Sequence, residues 1–304
     1  MSQFEKQYLD IMKDILENGI RVPNRTGIDT LATWGQSMKF DLDDGFPIVT
    51  TRKTSLRVAF EETWFFLRGE TDTKKLEEKK IKIWEGNTSR EFLDKVGLSY
   101  LPVGHMGKGY SFQWRNFNGE YAETTFPYDP YHAETDYTKS VGGVDQVVNL
   151  LEGLKNDPHS RRHIISAWNP AQLHEMALPP CHLYQQYQIL DDKLNSMCLL
   201  RSNDWVFGGP FNVMGYALLN CVFAKFLNLK PGTLQYVSND AHIYENQIDI
   251  ASQQIARIPF ALPKLLIKKD FKTIDDIFSM KYSDIELIGY EAHPDFKDKP
   301  KMAV

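Results

Sequence analysis

Apolar residues recur at helical spacing along four segments of the chain. The spacing predicts helices over residues 3–18, 55–68, 144–154 and 211–229. The last of these segments is apolar on nearly every face, which predicts a central buried helix. Asn212, a polar residue at its start, is expected either to cap the helix or to contact a ligand.

Two adjacent carboxylates, Glu61 and Glu62, stand among aromatic residues in the second helix. A helix this apolar is largely buried, so at least one of the two carboxylates should be buried as well. A buried carboxylate either forms a structural ion pair or has a raised pKa that suits a general acid or base. The sequence leaves both interpretations open.

Alternating and β-branched runs predict the strands. Residues 182–190 and 194–201 read as a hairpin, and further strands are predicted over residues 32–42, 81–84 and 164–168. Residues 116–141 hold six aromatics without periodicity, which predicts a long surface insertion. The glycine-rich segment 104–111 lacks the GxxxxGK[ST] spacing of a P-loop, so it predicts an ordinary loop.

Composition narrows the class of protein. The chain has 304 residues, of which 42% are hydrophobic, and a net charge of −5. These values fit a single globular domain over residues 1–304 and predict no basic face for nucleic acid. No apolar run is long enough for a membrane span, and the three cysteines predict no disulfide framework, so a cytoplasmic protein is expected.

Reactive side chains are densest between residues 178 and 212. Cys181 and His182 follow two prolines, and Arg201 lies at the end of the hairpin predicted after them. An arginine beside a thiol should lower the thiol pKa, and with Glu62 this set fits covalent catalysis on an electron-poor ring. A lone Cys-His pair is more often structural, because buried cysteine usually acts as a small hydrophobe. Hydrolysis by a cysteine protease fits the spacing no better, and no Cys/His spacing resembles a zinc site.

Arginines also stand in two loops, at Arg25 and at Arg161-Arg162. Each loop can be a solvated turn, which is the plainer interpretation. Each can instead clamp an anion, since the guanidinium fork fits phosphate oxygens.

The chain resembles the thymidylate synthase family over nearly its whole length. The matching stretches are Arg25-Thr26-Gly27, Gly45-Phe46-Pro47, Thr50-Thr51, Glu62, Ile83-Trp84, Gln113-Trp114-Arg115, Ser160-Arg161-Arg162, Ala167-Trp168-Asn169-Pro170, Ala177-Leu178-Pro179-Pro180-Cys181-His182, Arg201-Ser202, Asp204, Gly208, Pro210-Phe211-Asn212, Asp240-Ala241-His242-Ile243-Tyr244 and Met302-Ala303-Val304. So many matches in the family's order make the resemblance specific.

The resemblance implies an α/β (α+β) fold with a mixed sheet at a homodimer interface and a long buried central helix. It implies dUMP as substrate, 5,10-methylenetetrahydrofolate as one-carbon donor, and no metal. Cys181 would attack C6 of the pyrimidine, while Glu62, helped by Tyr110 and His182, would organise the proton transfers. Arg201 and Asp204 complete the implied catalytic set.

The resemblance also assigns binding roles. Arg25, Arg201 and Ser202, with Arg161 and Arg162 of the partner subunit, would hold the phosphate. His242 and Tyr244 would hold the ribose hydroxyl, and Asn212 would read the uracil O4/N3 edge. The folate would contact Ile83, Trp84, Asn87, Leu178, Asp204, Gly208, Phe211 and Ala303.

Four stretches depart from the family's usual pattern: Gly107-Lys108-Gly109-Tyr110-Ser111 for Gly-Pro-Val-Tyr-Gly, Val206-Phe207-Gly208 for Phe-Leu-Gly, Met214-Gly215-Tyr216 for Ala-Ser-Tyr, and Leu200 for glutamine.

The stretch from Arg201 to Gly208 also resembles pyrimidine nucleotide hydroxymethylases, in which water captures the exocyclic methylene. Asn212 and the tail at residues 302–304 favour the synthase, but a dUMP hydroxymethylase stays open. A non-catalytic nucleotide- or RNA-binding relative is disfavoured, because the nucleophile, the acid and the arginines are all present.

Overall fold

The computed structural model describes residues 2–126, 129–297 and 300, and for residues 123–134 the backbone alone is considered. The helices of these residues are α1 (Gln3–Asn18), α2 (Leu56–Leu67), α3 (Lys74–Glu77), α4 (Arg90–Lys95), α5 (Tyr110–Asn116), α6 (Gln146–Asn156), α7 (Gly208–Phe226), α8 (Ile248–Ile255) and α9 (Ile274–Phe278). The strands are β1 (Ile20–Val22), β2 (Thr30–Asp41), β3 (Glu120–Phe126), β4 (Asp129–Val141), β5 (Ile164–Ser166), β6 (His182–Leu190), β7 (Lys193–Asp204), β8 (Lys230–Tyr244), β9 (Lys264–Ile267) and β10 (Ile285–Ile288).

A mixed sheet forms the centre of the fold. Across the described residues its strand order is β1-β2-β8-β7-β6-β5, with β7 and β8 parallel and the other neighbours antiparallel. β6 and β7 form the predicted hairpin, whose turn includes Asp191 in the left-handed region at φ 53°. Because β7 and β8 are parallel, α7 carries the chain back across the sheet between them.

The predicted central helix is confirmed as α7. Its side chains from Val213 to Leu219 are all buried, and it packs against α2, β7 and β8. Pro210 is tolerated because it lies in the first turn, where no backbone N–H is needed. The helix begins at Gly208, so Asn212 lies inside it and is not its cap.

The strand predicted over residues 81–84 is wrong. The Ile81 amide bonds to the Leu76 carbonyl at 2.9 Å and closes the turn after α3, so this stretch pairs with no described strand. Apolar character at Ile81 and Trp84 reflects burial in a turn instead of strand pairing. Within the stretch predicted as an insertion, residues 116–141, the described chain forms the antiparallel hairpin β3–β4, which is separate from the main sheet and which the lack of periodicity did not predict.

The two faces of the main sheet differ. Helices α1, α7 and α8 pack on one face, where alternate residues of β7 such as Cys198 and Leu200 are fully buried. The opposite face carries Tyr184, Leu199 and Val237, which the strand register places side by side and which are only partly buried. Trp34, on β2, is 78% exposed. This second face is therefore mixed, with apolar side chains at Tyr184, Leu199 and Val237 beside polar ones such as Gln186 and Gln235, and the described chain leaves it partly uncovered.

No helix within the described ranges is both long and apolar enough to cross a membrane.

Candidate active site

A cavity of about 1820 Å³ opens where α2 and the N-terminus of α7 meet the ends of β7 and β8. The sequence-predicted residues that line it are Arg25, Glu62, Ile83, Trp84, Asn87, Tyr110, Leu178, Cys181, His182, Arg201, Ser202, Asp204, Gly208, Phe211, Asn212, His242 and Tyr244. Parallel strands bring their ends to the same edge of a sheet, and the register sets Ser202 opposite Asp240 and Asp204 opposite His242. The fold therefore collects residues that are far apart in sequence.

Two predicted site residues are not among those that line this cavity, and a third falls outside the described residues. Arg161 and Arg162 are exposed just before β5, on the chain leading into an edge strand. Ala303 lies outside the described residues, as does the rest of the tail at 302–304. Pro300 is described and lines the cavity.

Cys181 is held by contacts from two sides. The Arg201 guanidinium donates to the carbonyl oxygens of Pro179 and Pro180, both at 2.9 Å, and lies 3.8 Å from the Cys181 sulfur. The Cys181 amide donates to the Tyr110 hydroxyl at 2.6 Å. The thiol is therefore fixed at the start of β6, beside a cation.

The expected low thiol pKa is wrong for the free chain. Burial raises the pKa of Cys181, and the Arg201 charge lowers it by a smaller amount. The sequence identified the cation correctly but could not give the depth of the cleft, which disfavours the thiolate. Burial therefore favours the protonated thiol over the thiolate in the free chain.

The structure separates the two candidate carboxylates of α2. Glu61 pairs with Lys79 at 2.6 Å, at the protein surface. Glu62 faces the cavity and accepts a hydrogen bond from the Trp84 indole at 2.9 Å. Burial raises the pKa of Glu62 to about 7, although the bond from Trp84 works against this shift. Glu62 can therefore both accept and donate a proton near neutral pH, as a general acid/base must.

His182 is neutral at physiological pH, because burial lowers the pKa of its imidazole to about 4. Its ring lies 5.2 Å from the Tyr110 ring, between centroids. It can therefore take part in hydrogen bonding without adding a positive charge to the site.

Asn203, which sequence reasoning missed, contacts Asn212, the residue predicted to recognise uracil. Its side-chain oxygen accepts from the Asn212 amide at 3.4 Å, and its own amide donates to the Tyr236 hydroxyl at 2.7 Å. Asn203 is only 3% exposed. A signal was present, because the alternation of β7 turns Asn203 to the face opposite Ser202 and buries a polar side chain that needs a partner.

Asp240 was also missed as a functional residue. Its carboxylate accepts from the Ser202 hydroxyl at 3.3 Å and lies 3.3 Å from Nδ1 of His242. Burial works against its ionisation, but His242, Ser202 and the Arg201 charge outweigh this and hold the pKa of Asp240 below its ordinary value. One carboxylate thus links a predicted phosphate contact to a predicted ribose contact.

Asp204 has both carboxylate oxygens engaged. Oδ1 accepts from the amides of Val206 and Phe207 at 3.1 and 3.0 Å, and Oδ2 accepts from Gln247 at 3.0 Å. These bonds fix the loop that enters α7 and set the orientation of Asp204 at the cavity wall.

Most departures from the family pattern fall on buried positions, although Phe207 lines the cavity. Lys108, Ser111, Leu200, Val206 and Met214 are each at most 1% exposed. A Cβ on Gly215 would lie 2.6 Å from the Thr63 hydroxyl oxygen, so glycine at this position lets α7 approach α2 closely. Thr63 follows Glu62 in sequence, and this close approach helps set the distance from Glu62 to α7.

No group of three or more His, Cys, Asp or Glu side chains among the described residues is arranged to hold a metal ion.

A family model described as thymidylate synthase matches residues 6–304, and the chain belongs to the thymidylate synthase family. The chain is 42% identical over 295 residues to thymidylate synthase 1/2 of Encephalitozoon cuniculi, covering 96% of each chain. It is 41% identical over 311 residues to thymidylate synthase of Saccharomyces cerevisiae, covering 99% of this chain and 97% of that protein.

A bifunctional dihydrofolate reductase-thymidylate synthase of Paramecium tetraurelia is 43% identical over 300 residues. That match covers 99% of this chain and 61% of the bifunctional protein. The chain therefore spans about three fifths of that relative and almost all of the two monofunctional ones.

Proposed function

We propose that this protein methylates C5 of dUMP with 5,10-methylenetetrahydrofolate and releases dTMP and dihydrofolate, the reaction of a thymidylate synthase. The observation that carries the proposal is the convergence of Cys181, Glu62, Arg201 and Asn212 in one cavity, in a chain of this family. Its volume of about 1820 Å³ exceeds the roughly 300–1000 Å³ of a single-ligand pocket, so a nucleotide and a folate fit side by side. Dihydrofolate release that depends on dUMP tests the proposal.

The site residues suit covalent catalysis. The Cys181 sulfur bonds to C6 of the pyrimidine, which makes C5 nucleophilic toward the folate methylene. C5 bonds to that methylene, and loss of the C5 proton breaks the bond between the methylene carbon and the folate nitrogen, which leaves an exocyclic methylene on the pyrimidine and releases tetrahydrofolate. Hydride from the tetrahydrofolate then adds to the methylene as the bond between C6 and the Cys181 sulfur breaks, which gives dTMP and dihydrofolate. Glu62, with its pKa of about 7, moves protons through water, helped by Tyr110 and neutral His182.

Charged and hydroxyl side chains form the nucleotide site. Arg25, Arg201 and Ser202 bind the phosphate, and His242 and Tyr244 bind the ribose hydroxyl. The Asp240 carboxylate supports this arrangement because it contacts both Ser202 and His242.

The folate lies against an apolar wall made by Ile83, Trp84, Leu178 and Phe211, with Asp204, Asn87 and Gly208 beside it. Pro300 lines the same cavity. The tail at residues 302–304, which comes shortly after Pro300 in sequence, closes over the folate in this proposal.

The hydroxymethylase alternative finds no support. The matching family and the relatives described above are all named for thymidylate synthase.

The protein forms a homodimer through the uncovered face of the sheet, and Arg161 and Arg162 of each subunit reach the phosphate site of the other. Partly buried Tyr184, Leu199 and Val237 on that face support this arrangement, because a row of apolar side chains left at the surface favours burial. The single domain works in the cytoplasm, where its three free cysteines stay reduced.

Mixing two inactive variants tests the shared site. Cys181→Ser and the double variant Arg161→Ala/Arg162→Ala should each be inactive alone. Random exchange at equal amounts should restore about one quarter of wild-type activity, since half the dimers are mixed and each holds one intact site. As the matched control, a triple variant carrying all three changes should restore nothing with Cys181→Ser. Failure to restore activity after verified exchange would contradict the shared site.

Asn212→Asp tests base recognition. The substitution removes the amide that donates toward O4 of uracil, so kcat/KM for dUMP should fall about 100-fold or more while activity on dCMP rises. A protonated or water-bridged carboxylate can accept from the exocyclic amine of cytosine. Asn156→Asp, at the exposed end of α6, is the control. Unchanged discrimination between dUMP and dCMP would contradict the assigned role.

A further inference from the structure

Lys108 is a buried lysine in the segment that leads to the catalytic tyrosine. It is 1% exposed, and its ammonium pairs with Glu175 at 2.7 Å and with Glu120. A buried ammonium is strongly unfavourable unless it is paired, so the local structure depends on these carboxylates. The family's usual pattern has proline at this place, which carries no charge.

The two carboxylates belong to different parts of the chain. Glu175 comes shortly before the Leu178–Cys181 stretch, whereas Glu120 begins β3 of the inserted hairpin. Lys108 therefore joins the inserted hairpin to the segment that leads to the nucleophile.

Backbone contacts fix the same junction. The Lys108 amide donates to the Glu175 carbonyl at 2.9 Å, and the Ala177 amide donates to the Met106 carbonyl at 3.1 Å. Gly107 has φ of +67°, and a Cβ at this position would lie 2.1 Å from the Glu175 carbonyl oxygen. Only glycine allows this approach, so the loop and the segment around Glu175 form one packed unit.

Tyr110 follows this junction by two residues and begins α5. Gln113 of the same helix donates to the Lys108 carbonyl at 2.9 Å, so α5 is tied back to the loop. The Tyr110 hydroxyl in turn accepts from the Cys181 amide at 2.6 Å. A shift of the loop would therefore move the Tyr110 hydroxyl relative to the nucleophile.

The base of the hairpin is packed against the same unit. Gln172 donates to the Gly119 carbonyl at 2.8 Å, and the Tyr121 ring lies 4.8 Å from the Phe112 ring of α5, between centroids. The hairpin is thus attached to α5 by apolar packing, to Gln172 by a hydrogen bond and to the loop before α5 by the Glu120–Lys108 pair.

We propose that Lys108 is a positioning residue that acts through Tyr110. By joining Glu175 and Glu120, it fixes the turn before α5 and holds the Tyr110 hydroxyl against the Cys181 amide. The inserted hairpin supports the active site through this lysine. The proposal rests on the proposed function, because it assigns Lys108 a role in the same reaction.

A double-mutant cycle tests whether the effect passes through Tyr110. Lys108→Met should lower kcat about tenfold through misplacement of the hydroxyl, with less than about a threefold change in KM for dUMP. In a Tyr110→Phe background, which lacks the hydroxyl, the same substitution should have almost no further effect on kcat. Lys139→Met, which removes an exposed lysine paired with Asp136 on the same hairpin, is the matched control.

Glu120→Gln provides a milder variant if Lys108→Met does not fold, because it leaves the Glu175 pair intact. It should lower kcat in the same direction by a smaller factor, again only when the Tyr110 hydroxyl is present. Multiplicative losses of kcat in the two backgrounds, or an unchanged kcat in both Lys108→Met and Glu120→Gln, would overturn the role of Lys108. Absence of dTMP formation by the wild type would instead refute the proposed function, so the two failures are distinguishable.

Discussion

Cys181→Ser should lower turnover by about 10⁴-fold or more, because a serine hydroxyl is a far weaker nucleophile than a thiolate toward C6. The variant should also form no covalent adduct with 5-fluoro-dUMP and methylenetetrahydrofolate, as read from the mass of the intact protein. Cys181 is the only described cysteine that lines the cavity. Arg201 and Tyr110 both contact this residue.

Cys221→Ser is the matched control, since Cys221 is also a free, partly buried thiol but lies on α7 away from the cavity wall. This variant should keep both turnover and the adduct. A covalent adduct that survives in Cys181→Ser would show that another group is the nucleophile.

Glu62→Gln should lower kcat by about 10²- to 10⁴-fold, because the amide cannot transfer protons. Glu61→Gln, one position earlier on α2, removes a surface pair with Lys79 and should leave kcat nearly unchanged. Equal losses in the two variants would contradict the assignment of Glu62 as the proton-transfer group.

The thermal stability of Glu62→Gln relative to the wild type should depend on pH. Burial raises the pKa of Glu62 from 4.5 to about 7, so the folded protein binds this proton more tightly than the unfolded chain. The contribution of Glu62 to stability is therefore fully present below about pH 4.5 and is lost as pH rises through about 7. Relative to the wild type, Glu62→Gln should gain thermal stability between these pH values and keep the gain at higher pH. A Tm difference that does not change with pH would contradict the raised pKa.

The sequence predicted the parts of the fold that have strong local patterns. α7 is apolar on all sides and its burial follows directly, and the β6–β7 hairpin follows from two alternating runs around a polar turn. The run at Ile81 was misleading, because a few apolar residues fit a buried turn as well as a strand. Strand pairing in the inserted hairpin depends on partners that the spacing of its aromatics does not reveal.

For the site, the sequence identified chemical groups but not their environments. Glu61 and Glu62 are neighbours on one helix, and only the packing of α2 shows which of them faces the cavity. Arg201 was recognised as a cation near Cys181, but the opposing effect of burial on the thiol pKa depends on the depth of the cleft. Asn203 and Asp240 act through other side chains, so their roles appear only when those contacts are known.

The nucleotide product shows whether the transferred carbon is reduced by hydride or captured by water. The purified protein is incubated with dUMP and methylenetetrahydrofolate, the nucleotide is identified by mass, and dihydrofolate is measured in the same sample. We expect dTMP with an equal amount of dihydrofolate. Formation of 5-hydroxymethyl-dUMP with tetrahydrofolate would contradict this expectation, because water and not hydride would then have captured the methylene.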